Sequence, residues 1–168
     1  MIKTLIMLGL VCLLAIFMMM DFIIVIPKFG SKHFGAPDDI KEIMEKIPDR
    51  ASWVNIIGVC IMIVGFVGVI AVFIWAMVDT VKTDMSFFGA FIRFFIITEG
   101  YKLFDIIFFD YLMLTKLKLP AKIYPETAGA KGYDNFGFNT KSQINKLIIF
   151  CVASILLAFI LTVIIPLM

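Results

Sequence analysis

Long apolar stretches separated by two polar segments form the pattern of this chain. Residues 51–78 and 147–168 contain no charged side chain at all. A third stretch, residues 4–26, is apolar except for Asp21, and Pro27 follows it. About 20 apolar residues in a helix cross the hydrocarbon layer of a bilayer. Each of the three stretches therefore predicts a membrane-spanning helix.

A fourth stretch, residues 86–114, is rich in Phe and Ile but includes five charged residues. Counting it as a span predicts an all-α integral membrane protein with four transmembrane helices in an antiparallel bundle. The predicted spans lie in a single transmembrane domain, residues 1–168, and cover residues 4–26, 51–78, 86–114 and 147–167. We expect the first span to be an uncleaved helix, because its apolar run is longer than the roughly 7–15 residues of a signal peptide.

Two long polar loops, residues 27–50 and 115–146, connect these spans. In the first loop, apolar residues recur at the spacing of one helix face: Ile40, Ile43, Met44 and Ile47. This spacing predicts a short amphipathic helix that lies over the end of the bundle.

Lysine and arginine residues near the span ends predict the orientation of the chain. The two long loops together hold eleven of them, and the opposite side holds only Lys3 and Lys82. We therefore expect both long loops in the cytoplasm and both termini outside.

Composition supports a multi-pass membrane protein and excludes several other classes. Hydrophobic residues make up 62% of the chain and charged residues 17%, against about 45–50% and 25% in soluble domains. These values exclude a disordered chain and an ordinary cytosolic enzyme. Fifteen basic residues against thirteen acidic ones do not indicate a nucleic-acid partner. The expected partners are the lipid bilayer and a further protein chain, or a second copy of this one.

Cofactor and thiol chemistry find little support in the residues. Cys12, Cys60 and Cys151 each fall within a predicted span, without a C-x-x-C pair. His33 is the single histidine. We predict no catalytic residue and no cofactor, and the sequence leaves a metal site open.

The charged side chains of the third span are the candidate site. On an ideal α-helix, Glu99, Lys102, Asp105 and Asp110 share an arc of roughly 140°, and Arg93 lies off it. Charged side chains within a membrane span are costly in lipid unless they are paired or hydrated, so the arc should face the bundle interior. The predicted buried polar cluster consists of Asp21, Arg93, Glu99, Lys102, Asp105 and Asp110. A purely structural alternative is an intrahelical ladder, in which Lys102 pairs with the acids three residues before and after it.

The second span carries small residues at Gly58, Gly65 and Gly68. Such positions let a neighbouring helix approach closely, which favours packing within the bundle over homodimerisation.

Three functional hypotheses remain. The leading one is a non-catalytic accessory or partner-binding component of the membrane. The first alternative is an oligomeric proton- or cation-coupled transporter that uses Glu99 and Asp105. The second is a membrane enzyme acting on a lipid phosphate, with Asp21, Asp105 and Asp110 around a divalent ion.

Overall fold

A computed structural model describes residues 1–33 and 35–165 of the chain, which are 84% helical and contain no strand. Seven α-helices follow one another along the chain: α1 (Ile2–Ile24), α2 (Pro27–His33), α3 (Asp38–Lys46), α4 (Ser52–Lys82), α5 (Phe87–Phe104), α6 (Leu119–Ile123) and α7 (Thr140–Phe159). Two π-helical segments continue α5 and α7 without a break, at Asp105–Lys116 and Ile160–Ile164. Two short 3₁₀ turns, Pro125–Thr127 and Lys131–Asp134, complete the second loop.

Three of these helices are long and apolar enough to cross a membrane. They are α1 with 23 residues, α4 with 31 residues, and α7 with its π-helical continuation, Thr140–Ile164, with 25 residues. The prediction of an integral membrane protein is confirmed to that extent. α5 is not among the three, because it carries three charged residues within 18. The predicted final residues of the last span, 166 and 167, lie outside the described part of the chain.

The third predicted span departs from a single α-helix. Its α-helical part ends at Phe104. From Asp105 onward the backbone is π-helical, in which the amide of residue i+5 donates a hydrogen bond to the carbonyl of residue i. The amide of Leu117 donates to the carbonyl of Leu112 at 2.8 Å in this way. The wider helix changes the angle between successive side chains. An arc calculated for an α-helix therefore does not extend to Asp110.

The chain forms two compact units. The first consists of residues 1–14, 67–104 and 141–165, and the second of residues 15–66 and 105–140. α1 and α4 each contribute to both units. The apolar core of the first unit joins residues from four helical segments: Met7, Val11, Val72, Ala76, Phe94, Ile97 and Leu161.

The second unit contains the first long loop and residues 115–140 of the second, and its core is built from them. The predicted short helix is present as α3, which buries Ile40 and Met44 on one face. These two side chains pack with aromatic and small residues of the other loop: Tyr124, Ala130 and Tyr133. Pro27 sits at the first position of α2, where its fixed φ and missing N–H suit the start of a helix.

Candidate functional site

A buried ion pair joins α4 and α5 in the first unit. Arg93 Nη2 lies 2.8 Å from Asp79 Oδ2, and the Arg93 side chain is only 3% exposed. Arg93 Nη1 also donates to the hydroxyl of Thr80 at 3.0 Å and to the carbonyl of Ala76 at 3.4 Å. On the more exposed side, Lys3 Nζ donates to Asp79 Oδ1 at 2.6 Å. The two basic groups thus compensate the Asp79 charge from opposite sides.

Asp79 was missed as a site residue because it lies one position beyond the uncharged run of residues 51–78. α4 continues for a further turn, so Asp79 belongs to the helix. The connection to α5 is short, at residues 83–86, and a short connection makes successive helices antiparallel neighbours. In such a pair, residues at similar distances from the connection lie next to each other, so the end of α4 lies opposite the start of α5. This helical hairpin is the sequence signal that would have indicated Asp79 as the partner of Arg93.

Arg93 was placed off the polar arc but within the predicted buried cluster, and it is 3% exposed. Its burial follows from Asp79, which lies on the helix next to it. Glu99 and Lys102, which were expected inside, are indeed buried, with 8% and 3% of each residue exposed. Thr98, next to Glu99, shares a 3.0 Å hydrogen bond with Ser154 of α7. The face of α5 that carries these residues is therefore packed against protein.

Two predicted site residues are buried carboxylic acids with unsatisfied oxygens. Asp21 is 4% exposed, and neither of its carboxyl oxygens has a hydrogen-bond partner in the described chain. Glu99 has one such oxygen, Oε1. A buried polar atom without a partner is costly and calls for a reason.

The remaining predicted site residues, Asp105 and Asp110, lie in the π-helical segment and are half-buried. Asn139 Nδ2 donates to Asp110 Oδ2 at 3.2 Å. Asp110 also lines an apolar cavity of about 80 Å³, together with Met44 and Tyr124. It is the one carboxylate among the described residues of that lining.

No group of three His, Cys, Asp or Glu side chains within residues 1–33 and 35–165 is placed to hold a metal ion. The six predicted cluster residues are divided between the two units, with Arg93, Glu99 and Lys102 in the first and the three aspartates in the second. The metal site expected for a lipid-phosphate enzyme needs Asp21, Asp105 and Asp110 together, and the described residues do not form such a group.

The glycines of α4 face α1, and each lies opposite a larger side chain. A Cβ at Gly65 would overlap the Met18 side chain, and one at Gly58 would lie 2.5 Å from Ile26 Cγ2. Gly68 is opposite Leu14. Residue numbers rise on α4 as they fall on α1, so these helices are antiparallel. The glycines act within one chain, as packing positions for α1.

The two long loops fold against each other into what we call the loop layer, defined as residues 27–33, 35–50 and 117–139. Asp39 Oδ2 accepts a 2.8 Å hydrogen bond from the amide of Gly132, across the two loops. Tyr133 is fully buried and bonds to the Thr127 hydroxyl at 2.7 Å. Because Thr127 donates its own proton to a backbone carbonyl, Tyr133 is the donor in this bond. Burial raises the pKa of the Tyr133 hydroxyl, which keeps that proton in place.

A search of protein-family models, curated proteins and solved structures found no match to this chain.

Proposed function

We propose that α5 and the π-helical segment after it form a fourth membrane crossing, which completes an antiparallel four-helix bundle. Together they give 30 continuous helical residues, Phe87–Phe104 and Asp105–Lys116, more than the roughly 20 that a bilayer requires. Burial of Arg93, Glu99 and Lys102 supports this crossing, because the charges that argue against a span are kept away from lipid.

The packing of the two long loops supports their location on one side of the membrane. Asp39 of the first loop and Gly132 of the second share a hydrogen bond. Apolar side chains from both loops form one core. With eleven basic residues in these loops, the cytoplasm is the proposed side.

The function that this geometry supports best is that of a non-catalytic, partner-binding component of the membrane. The observation that carries it is the loop layer, which has a core of its own and a hydrogen bond between its halves. A folded layer presents a fixed set of exposed charged groups, among them Glu42 and Glu126, that a partner protein can recognise. The buried ion pair of Arg93 with Asp79 joins two helices, which is a structural role.

Site-specific photo-crosslinking in native membranes tests this function. A photoreactive residue at Glu42 or Glu126 should give a defined crosslinked product with one partner protein. The matched control is Val64, an exposed apolar position of α4 that should react with lipid. Equal, diffuse crosslinking at all three positions, with purification of a lone monomer in mild detergent, would contradict the proposal.

The unsatisfied oxygens of Asp21 and Glu99 favour a second candidate, a proton-coupled transporter. A buried acid without a fixed partner is the kind of group that exchanges a proton in pumps and transporters. Asp105, also proposed as an exchange site, is half-buried in the π-helical segment. Because four spans per chain are few for a pathway, this function requires a homo-oligomer.

Proton flux into liposomes separates the second candidate from the first. Under the transporter hypothesis, Asp21→Asn and Glu99→Gln each abolish pH-dependent flux, because the amide cannot release a proton. Glu126→Gln removes an exposed carboxyl group and serves as the control. Flux that is absent in the unsubstituted protein, or equal in all variants, excludes the transporter.

A further inference from the structure

A cleft of about 240 Å³ opens in the second unit, where one candidate span ends and another begins. Ile26 and Pro27 line it directly after α1, and Pro48 and Arg50 line it directly before α4. Gly58 of α4 contacts Ile26, so these two helix ends are adjacent. Both helices are long enough to span a bilayer, and a bilayer crossed by both would have its lipid headgroups at the level of the cleft.

Several polar residues that line the cleft are basic or carry hydrogen-bond donors. Arg50 Nη2 donates to the hydroxyl of Tyr124 at 2.8 Å, which holds the guanidinium in place and leaves its other N–H groups for a ligand. Lys28 and Asn55 also line the cleft. Guanidinium and amide groups are suitable donors to phosphate oxygens.

One carboxylate, Asp49, also lines the cleft and pairs with Lys28 at 2.7 Å. Its side chain is 78% exposed, whereas that of Lys28 is 33% exposed. Exposed ion pairs of this kind contribute little free energy, so an incoming phosphate can replace Asp49 beside Lys28. With Arg50 and Lys28 against Asp49, the lining keeps a charge of +1.

The rest of the lining is mainly apolar. Met44 and Ile47 of the first loop and Val59 of α4 belong to it, together with Ile26. A free phosphate ion gains nothing from such apolar residues. A phospholipid does, because its acyl chains begin next to its phosphate and stabilise the complex by burying apolar surface. Basic pockets beside spanning helices are typical sites for anionic lipid headgroups.

From this combination of basic and apolar lining residues we propose that the cleft binds the phosphate headgroup of an anionic phospholipid. Arg50 contacts the phosphate, Lys28 neutralises its charge, and the apolar residues receive the first part of an acyl chain. The site is independent of partner binding, since it requires only that α1 and α4 span the membrane.

Native mass spectrometry of the full chain in detergent, with added lipid, tests the site. Phosphatidylglycerol should bind at a defined stoichiometry and phosphatidylcholine should not. Arg50→Gln should weaken phosphatidylglycerol binding by about five- to tenfold, the effect of one cation at the phosphate. Tyr124→Phe keeps the aromatic ring but removes the acceptor that holds Arg50, so we expect a smaller loss.

Lys131→Gln is the matched control, because it removes an exposed cation of the loop layer that does not line the cleft. Equal binding of both lipids, or equal loss in Arg50→Gln and Lys131→Gln, overturns the proposal. Displacement of the lipid by millimolar inorganic phosphate also overturns it, because the ligand would then be a free anion. If Arg50→Gln fails to fold, Lys28→Gln gives the same comparison at a half-buried position.

Discussion

Asp79→Leu should lower the free energy of unfolding by about 3 kcal/mol, because it leaves the buried Arg93 guanidinium without its counter-charge. Removing one partner of a buried ion pair usually costs about 3–5 kcal/mol. We expect a value at the lower end because Asp79 lies only three residues before the end of α4. Thr80 and the Ala76 carbonyl would still bond to Arg93 but carry no charge. Reversible unfolding in mixed detergent micelles, followed by circular dichroism, measures the change.

Two further variants separate the buried pair from the exposed one. Lys3→Gln removes the partner whose side chain is 57% exposed, and its effect should stay below about 1 kcal/mol. The double variant Asp79→Leu with Arg93→Met should recover most of the lost stability, because neither position then leaves an uncompensated buried charge. Equal losses of stability in Asp79→Leu and Lys3→Gln would contradict the assignment of Arg93 as the buried partner of Asp79.

Gly132→Ala should open the loop layer. A Cβ at this position would overlap the Asp39 carboxylate and the ring of Pro37. Relief of the overlap requires the two loops to separate, which also breaks the hydrogen bond from Gly132 to Asp39. Overpacking of this kind costs about 1–3 kcal/mol. Amide hydrogen exchange in the loop layer should therefore accelerate about tenfold, with the membrane-spanning helices unchanged.

Gly129→Ala is the control for that experiment, since it adds the same methyl group to the same loop where nothing lies within 4 Å. Its exchange rates should match those of the unsubstituted protein. Equal acceleration in both variants would mean that the loop is sensitive to any added methyl group. Unchanged rates in Gly132→Ala would mean that the two loops do not depend on this contact. If the partner recognises the folded layer, Gly132→Ala should also reduce crosslinking at Glu42.

The apolar runs predicted the three helices that are long enough to cross a membrane, because such a helix is recognised by local composition alone. The short helix α3 was equally predictable, because a repeat of apolar residues on one helix face is a local pattern. The positions of Gly58, Gly65 and Gly68 indicated close helix packing, and the structure shows α1 as the helix they face. Which helix packs there depends on contacts between residues far apart in sequence.

The charged residues were harder to interpret, for two physical reasons. Arg93 was placed in the buried cluster without a partner, because the sequence was divided into spans and loops next to Asp79. The polar arc was calculated with α-helical angles, whereas the residues from Asp105 onward adopt π-helical geometry. Both errors concern features that depend on the neighbouring helix or on the backbone hydrogen bonding, and neither is encoded in a local hydrophobic pattern.

The sequence by itself determined that this chain is helical and has segments that can cross a membrane, since both follow from the lengths of its apolar runs. Only the tertiary structure decided which charges are paired. It joined Arg93 to Asp79 and left the oxygens of Asp21 without a hydrogen-bond partner among the described residues. It also decided that the two polar loops form one layer around Tyr133. Pairing and burial depend on which distant segments meet, and the chain specifies that only once its helices have packed.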